Sequence, residues 1–185
     1  MLASRSPKRI RRRSTLFAAL ALSATLLLSA LVPQNVAPAH ARPLFRMPFR
    51  CGQTWIASTR SNHNPLYAVD FNRDNDFGDA VIASAGGTIS VIRNLGDESY
   101  GRYMIINHGG GWTTLYAHLS ETFGSVGQSV SMGTRIGSVG NSGGSSGAHL
   151  HYEQRYNSSA VKAILGSYEV KYFDDYQPLT SHNSC

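Results

Sequence analysis

Cysteine, helical periodicity and internal repeats are the features that this 185-residue sequence has least of. The two cysteines, Cys51 and Cys185, stand in segments without other marks of a catalytic site, which argues against a cysteine nucleophile. No long segment repeats apolar residues at the 3.6-residue period of a helix, and no internal repeat is visible. The sequence therefore predicts a mainly β fold with little helix outside the N-terminal region.

Surplus positive charge is also absent from most of the chain. Of the 17 lysines and arginines, six lie before Arg42, whereas all 11 acidic residues follow it. Residues 42–185 therefore hold 11 basic and 11 acidic residues and carry no net charge. Nucleic acid is excluded as a partner, because its binding depends on surplus lysine and arginine.

Residues 1–41 have the layout of a secretory signal peptide. A basic stretch ending at Arg13 leads into the apolar residues 16–32, and the small-x-small tripeptide Ala39-His40-Ala41 follows. We expect cleavage before Arg42 and a secreted product, extracellular or in the cell wall, without a membrane attachment. The alternative is an uncleaved membrane anchor, because an apolar run of about 17 residues is at the short end of what spans a bilayer.

Export would bring the two cysteines into a compartment in which disulfides persist. We therefore expect Cys51 to pair with Cys185 and to close nearly the whole domain, with two free thiols as the alternative. In the chain-entropy model a loop of this size contributes up to about 4–5 kcal/mol to stability.

Short β-rich runs separated by glycine fill the chain from residue 54 onward. Runs of β-branched and aromatic residues around a glycine-rich joint are the local signal of a hairpin. Two hairpins are predicted, with turns at Gly86-Gly87 and Gly109-Gly110-Gly111 and strands at 81–83, 88–92, 103–107 and 112–118.

The remaining organisation is an N-terminal arm and one domain. Residues 42–53 contain proline and no strand pattern, so they are predicted to form an irregular arm. Residues 54–185 are predicted to form a single domain. The glycine- and serine-rich segment 141–147 runs directly into His149, and we expect it to form one rim of a cleft.

A His-x-His pattern, His149 and His151, falls on a predicted strand. Residues i and i+2 of a strand point to the same face, so the two imidazoles share one surface. Asp70 stands among apolar neighbours, where a cation would satisfy its carboxylate. His63 lies seven residues before Asp70 in a polar loop, and His118 ends a predicted strand.

Three other polar residues fit structural roles at least as well as functional ones. His108 precedes the glycines of a predicted turn and His182 lies in the polar C-terminal tail, so both are interpreted as structural or solvated. Glu153 continues the strand face of His149 and His151, where it either orients a histidine or forms a salt bridge.

These residues carry a resemblance to a known family. The chain is similar, over about residues 51–156, to the lysostaphin- and LytM-type peptidases of the M23 family. Many of those peptidases separate the first His from the Asp by four positions, whereas the spacing here is seven; other branches, including those that resemble β-lytic proteases, have longer spacings. The matching segments are His63 with Asp70, Leu-Tyr-Ala-His-Leu-Ser at 115–120, Val-Gly-Gln-Ser-Val at 126–130 with Gly133 and Gly137, and Gly-Ala-His-Leu-His-Tyr-Glu at 147–153.

The resemblance implies a small antiparallel β-sheet domain with a zinc site in a groove on one sheet. By that resemblance His63, Asp70 and His151 are the zinc ligands, and His118 and His149 are the catalytic histidines. Two neutral imidazoles and one carboxylate leave a tetrahedral zinc with an open fourth position, as catalytic sites require.

The implied function is that of a secreted zinc metalloendopeptidase, acting as a monomer on peptide bonds in peptidoglycan stems or cross-bridges. The alternative is a non-catalytic M23-like module that binds or regulates at the cell wall. Such a module has no need to keep both His118 and His149 beside three metal ligands, and this chain has all five residues.

Overall fold

The computed structural model describes residues 41–185. Every regular element in this range is a β-strand, which confirms the predicted mainly β fold class. Among these residues, no helix has the length and apolarity needed to cross a membrane. The predicted signal peptide, apart from Ala41, lies outside the described residues. The strands are β1 (Thr54–Ser58), β2 (Val69–Asn72), β3 (Ala80–Ile82), β4 (Gly87–Asn94), β5 (Arg102–Gly109), β6 (Trp112–Ala117), β7 (Glu121–Thr122), β8 (Ser129–Val130), β9 (Arg135–Ser138), β10 (Leu150–Tyr156), β11 (Ser159–Val161), β12 (Ile164–Leu165), β13 (Tyr168–Glu169) and β14 (Gln177–Thr180).

One large sheet and two small ones account for the strands of the described range. The large sheet has the order β14-β1-β2-β10-β6-β5-β4-β8, with β11 paired to β10 beside this path. Strands β3, β9 and β7 form a three-stranded sheet, and β12 pairs with β13. The order places β2, β10 and β6 side by side in the middle of the large sheet, so residues far apart in sequence meet there.

Aromatic side chains fill the core against one face of the large sheet. Tyr152 of β10 pairs in register with Tyr116 of β6, and their rings lie 5.5 Å apart. Phe71 of β2 packs against Tyr152, and both rings are fully buried. Because neighbouring residues of a strand point to opposite faces, this packing directs Asp70 and His151 to the other face.

One of the two predicted hairpins is confirmed and the other is wrong. Strands β5 and β6 pair antiparallel across the glycines at 109–111, as predicted. The strand at Ala80–Ile82 instead pairs with β9, more than 50 residues further along the chain, and the following strand, β4, pairs with β5 and β8. Between β3 and β4 the chain passes from the three-stranded sheet to the large sheet. Gly86 and Gly87 therefore connect two sheets and do not form a hairpin turn.

The N-terminal arm has an irregular backbone, but its side chains belong to the core. Phe45, Met47 and Phe49 are each at most 2% exposed, and Phe49 stacks on Trp55 of β1 with ring centroids 3.6 Å apart. The arm therefore packs as part of the domain that follows it.

The predicted disulfide between Cys51 and Cys185 is confirmed. It joins the arm to the last residue of the chain, next to the antiparallel pairing of β1 with β14. Both ends of the domain are therefore held by strand pairing as well as by the covalent bond.

Candidate metal centre and active site

Asp70 and His151 form the centre of the candidate site. They are register partners on the adjacent strands β2 and β10, so their side chains leave the same face of the sheet side by side. His151 Nδ1 lies 3.3 Å from Asp70 Oδ1, and the two side chains are 4% and 7% exposed. The strand register alone brings these two predicted ligands together.

His63 reaches the same carboxylate from a loop. The His63 amide donates to the Arg60 carbonyl, and the Ala68 amide donates to the Pro65 carbonyl, so the loop folds as consecutive turns before β2. His63 Nε2 lies 3.3 Å from Asp70 Oδ1, and Nδ1 faces the Ala68 carbonyl at 3.3 Å. The seven-residue spacing is thus accommodated by a compact loop that returns His63 to Asp70.

The tautomers of both histidines follow from their other contacts. His63 Nδ1 faces a carbonyl and His151 Nε2 faces Glu153 Oε1 at 2.9 Å, and both oxygens only accept. The nitrogens turned toward Asp70 therefore carry lone pairs in the neutral imidazoles. Asp70 Oδ1 is itself buried without a hydrogen-bond partner among residues 41–185.

Three acceptor atoms therefore face one another in a buried place, an arrangement that a cation satisfies. All three lie within 4.8 Å of one another. Zinc bonds of about 2.0–2.2 Å place tetrahedral ligand atoms about 3.3–3.6 Å apart, which agrees with the two nitrogen–oxygen distances. The donor set of two imidazoles and a carboxylate also suits zinc, so the residues present fit the expected metal.

The pKa values of the cluster favour a charged Asp70. Burial would raise the pKa of Asp70, but the imidazoles of His151 and His63 outweigh burial and hold it below its ordinary value. Burial would lower the pKa of His151, but Asp70 and Glu153 raise it above its ordinary value. A proton and a metal ion therefore compete for His151, and acid is expected to weaken metal binding.

His118 and His149 lie next to this cluster. Their ring centroids are 4.7 Å apart, and His149 Nε2 is 3.6 Å from Asp70 Oδ1. His118 donates from Nδ1 to the Ser142 carbonyl at 2.8 Å, and His149 donates from Nδ1 to the Gly147 carbonyl at 3.0 Å. In each neutral ring Nε2 is therefore an acceptor, and neither Nε2 makes a hydrogen bond within residues 41–185.

The backbone of His118 has a left-handed conformation, with φ of 59°. This is uncommon outside glycine and redirects the chain at the end of β6. Burial lowers the pKa of His118 to about 4, which its hydrogen bond to the Ser142 carbonyl only partly opposes. His118 is therefore a neutral imidazole at pH 7.

The segment 141–147 forms a rim of the groove, as predicted. Ser142 fixes it to the sheet, because its Oγ accepts from the Arg102 amide and donates to the Leu119 carbonyl, each at 2.9 Å. Gly143 crosses Gly101 so closely that a Cβ on either residue would collide with the other backbone. This rim carries the carbonyl that holds His118.

Glu153 has both of the roles considered for it. It is fully buried; Oε1 accepts from His151 Nε2 and from the Tyr100 hydroxyl at 2.8 Å, and Oε2 accepts from Arg155 Nε at 2.6 Å. Arg155 also donates to the Tyr100 hydroxyl. The carboxylate therefore both orients His151 and neutralises a largely buried arginine.

The five predicted site residues line one open groove of about 580 Å³ on the large sheet. Tyr100 and Arg60 line it as well. His108 lies elsewhere, bonded to the Gly86 carbonyl and to Thr114 Oγ1, which agrees with its interpretation as structural. His182 is exposed and lies outside the groove.

Comparison with known proteins identifies the family of the chain. The model of Peptidase family M23 matches residues 64–163, more than half of the sequence. The chain belongs to peptidase family M23. The matched range contains Asp70, His118, His149 and His151, and His63 stands immediately before its first residue.

Two curated relatives are named as peptidases, and the name of one of them refers to peptidoglycan. The DD-carboxypeptidase/endopeptidase Mpg of Neisseria meningitidis is 44% identical over 87 residues, which cover 47% of this chain and 20% of Mpg. The peptidoglycan DD-endopeptidase ShyA of Vibrio cholerae is 40% identical over 87 residues, which cover 47% of this chain and 20% of ShyA. The chain thus matches about a fifth of the length of these relatives.

A solved structure of a peptidase is similar to the chain in fold. A zinc-containing peptidase from Vibrio cholerae superposes with a TM-score of 0.54 at 26% identity, covering 67% of this chain and 41% of that one. The M23 assignment rests on the family model, and this neighbour shows that a peptidase shares the fold.

Three residues that contact this M23 site were not individually predicted from the sequence. Arg60, Tyr100 and Ser142 contact site residues that lie 10, 53 and 24 positions away in the chain. Only Arg60 has a local signal, because it stands three residues before His63 at the start of a turn.

Proposed function

We propose that the chain is a zinc-dependent endopeptidase that hydrolyses peptide bonds of peptidoglycan. The observation that carries the proposal is the convergence of three acceptor atoms, on His63, Asp70 and His151, beside two histidines whose Nε2 atoms make no hydrogen bond within residues 41–185. The name of ShyA supports peptidoglycan as the substrate, and the name of Mpg supports peptide hydrolysis.

In this proposal His63 Nε2, Asp70 Oδ1 and His151 Nδ1 hold the metal. Bound zinc supplies a Lewis acid that polarises the scissile carbonyl and makes water more acidic near neutral pH. The remaining chemistry belongs to the protein, which must hold a peptide across the groove and move protons.

His118 and His149 are suited to the proton transfers. Each has its Nδ1 proton tied to a carbonyl, so Nε2 can accept a proton from the attacking water. The protonated ring can then stabilise the oxygen of the attacked carbonyl or deliver the proton to the leaving amine. A positioned acid or base of this kind contributes roughly 10²–10⁴ in rate.

Export is part of the proposal. The basic and apolar pattern of residues 1–41 supports it, and so does the disulfide, because disulfides persist outside the cytoplasm. The substrate proposed here also lies outside the cytoplasm, so location and activity agree.

Digestion of purified cell walls tests the function. Protein comprising residues 42–185 and loaded with zinc is expected to release soluble peptide fragments, and the masses of these fragments identify the bond. Chelation should stop the release and added zinc should restore it. Activity that survives both chelation and His151→Ala would refute the zinc mechanism. Stoichiometric zinc without turnover on any wall type would instead support the non-catalytic module.

A further inference from the structure

The groove contains one positively charged side chain, that of Arg60, which has no role in the proposed chemistry. Arg60 lies beside the metal cluster, and Nη2 donates to Asp70 Oδ2 at 2.7 Å, on the carboxylate oxygen turned away from His63 and His151. Among the residues lining the groove, Arg60 is the sole lysine or arginine. It also lines a smaller pocket of about 150 Å³ that continues the groove past Asp70 and His149.

The guanidinium of Arg60 is largely free. Within residues 41–185 its side chain makes a single hydrogen bond, to Asp70, and 53% of the side chain is exposed. Arg155, on the same face, contrasts with it, since its side chain is 18% exposed and donates to both Glu153 and Tyr100. Arg155 is therefore held by two partners in the buried network, whereas Arg60 presents most of its donors to the groove.

The surroundings of Arg60 favour an anion. The small pocket beside it is lined by uncharged groups, including Ser58 and Asn72, in addition to Asp70 and His149. Glu153 is buried and neutralised by Arg155, so Asp70 is the one acidic side chain that lines the groove. A metal ion bound to Asp70 would add positive charge and strengthen the preference.

We propose that Arg60 is a specificity residue that binds a substrate carboxylate next to the scissile bond. Its planar fork matches a carboxylate in geometry and charge. The substrates preferred by this subsite are therefore peptides with a free carboxylate close to the bond that is cut, and uncharged peptide bridges are disfavoured. This inference rests on the proposed peptidase function and specifies its substrate class.

A matched pair of peptides tests the subsite. The probes are an acetylated tripeptide ending in D-Ala-D-Ala and the same tripeptide with its C-terminal carboxylate converted to a carboxamide. The zinc-loaded wild-type protein is expected to prefer the carboxylate form about 10-fold in kcat/KM, a modest ratio because Arg60 is half exposed. If neither peptide is cut, calorimetry measures the affinity of the protein for each peptide, and the ratio of the two affinities takes the place of the ratio in kcat/KM.

Substitution of Arg60 then assigns the preference. Arg60→Ala should reduce the ratio to about 1, and Arg60→Lys, which keeps the charge but loses the fork, should give an intermediate ratio. Arg93→Ala, which removes an exposed arginine outside the groove, should keep the wild-type ratio. Zinc content is measured for each variant, because Arg60 touches a metal ligand.

The ratio of kcat/KM for the two peptides distinguishes a loss of specificity from a loss of metal or of fold. If Arg60→Ala loses metal or fold, kcat/KM falls equally for both peptides and their ratio stays unchanged. In that case the ratio measured with Arg60→Lys decides whether Arg60 sets the preference. A wild-type ratio near 1, or a ratio that Arg60→Ala and Arg60→Lys both leave unchanged, overturns the inference. Failure to cut either peptide or any wall preparation contradicts the proposed function, while the affinity ratio still reports on the subsite.

Discussion

Replacement of Glu153 by glutamine is expected to weaken both the fold and the metal site. The carboxylate is fully buried and accepts from three donors, His151 Nε2, Tyr100 and Arg155. Glutamine has the same shape but one oxygen and one NH₂ group. Either orientation of the amide turns its NH₂ group toward a neighbouring donor, and Arg155 loses its ionic partner.

The structure gives a magnitude for this loss. Removing one partner of a well-buried ion pair costs about 3–5 kcal/mol, and the 18% exposure of Arg155 lowers our expectation to about 2–4 kcal/mol. With a urea m-value of about 2 kcal/mol/M, the unfolding midpoint should fall by about 1–2 M. Zinc affinity should fall about 10–100-fold, because His151 loses the acceptor that orients it.

Urea unfolding and competitive zinc titration measure the two effects. Glu98→Gln is the matched control, because Glu98 is exposed and outside the groove. Glu98→Gln should behave as wild type in both assays. If Glu153→Gln gives the same midpoint and zinc affinity as this control, the reasoning about the buried network is wrong.

Three further predictions concern the disulfide, Ser142 and His108. Reduction of the disulfide between Cys51 and Cys185 should lower the free energy of unfolding by less than the roughly 4–5 kcal/mol of the chain-entropy model, since β1 and β14 already pair; a larger loss in urea unfolding would contradict this. Ser142→Ala should lower kcat about 10-fold without loss of zinc, because the rim that holds His118 loosens; an unchanged kcat would be evidence against that role. Burial lowers the pKa of His108, so the folded protein resists its protonation and stability should fall as pH drops below about 6.5. In His108→Gln this loss should be smaller between pH 7 and 5, and an identical slope in the two proteins would refute it.

Local patterns were sufficient to predict part of this fold and site. Strand alternation predicted that His151 of β10 and His149, which immediately precedes β10, share a face. The β5–β6 hairpin was visible because its two strands are neighbours in sequence. The disulfide followed from having two cysteines and an export pattern. These features depend on the period of a strand or on composition, which a sequence displays directly.

The features that the sequence did not predict depend on contacts between residues far apart in the chain. The strand at Ala80–Ile82 pairs with β9 rather than with its neighbour, and nothing near Gly86 distinguishes a turn between sheets from a hairpin turn. Tyr100 meets Glu153 across 53 positions. Such partners are chosen by the packing of the whole sheet, so a single sequence does not reveal them.

The zinc content of five single variants tests the central claim most directly. Wild type should bind one zinc per chain. His63→Ala, Asp70→Ala and His151→Ala should lose it, whereas His118→Ala and His149→Ala should retain it and lose turnover. Full zinc in all three ligand variants, or its loss in the two catalytic variants alone, would contradict the division of roles proposed for this groove.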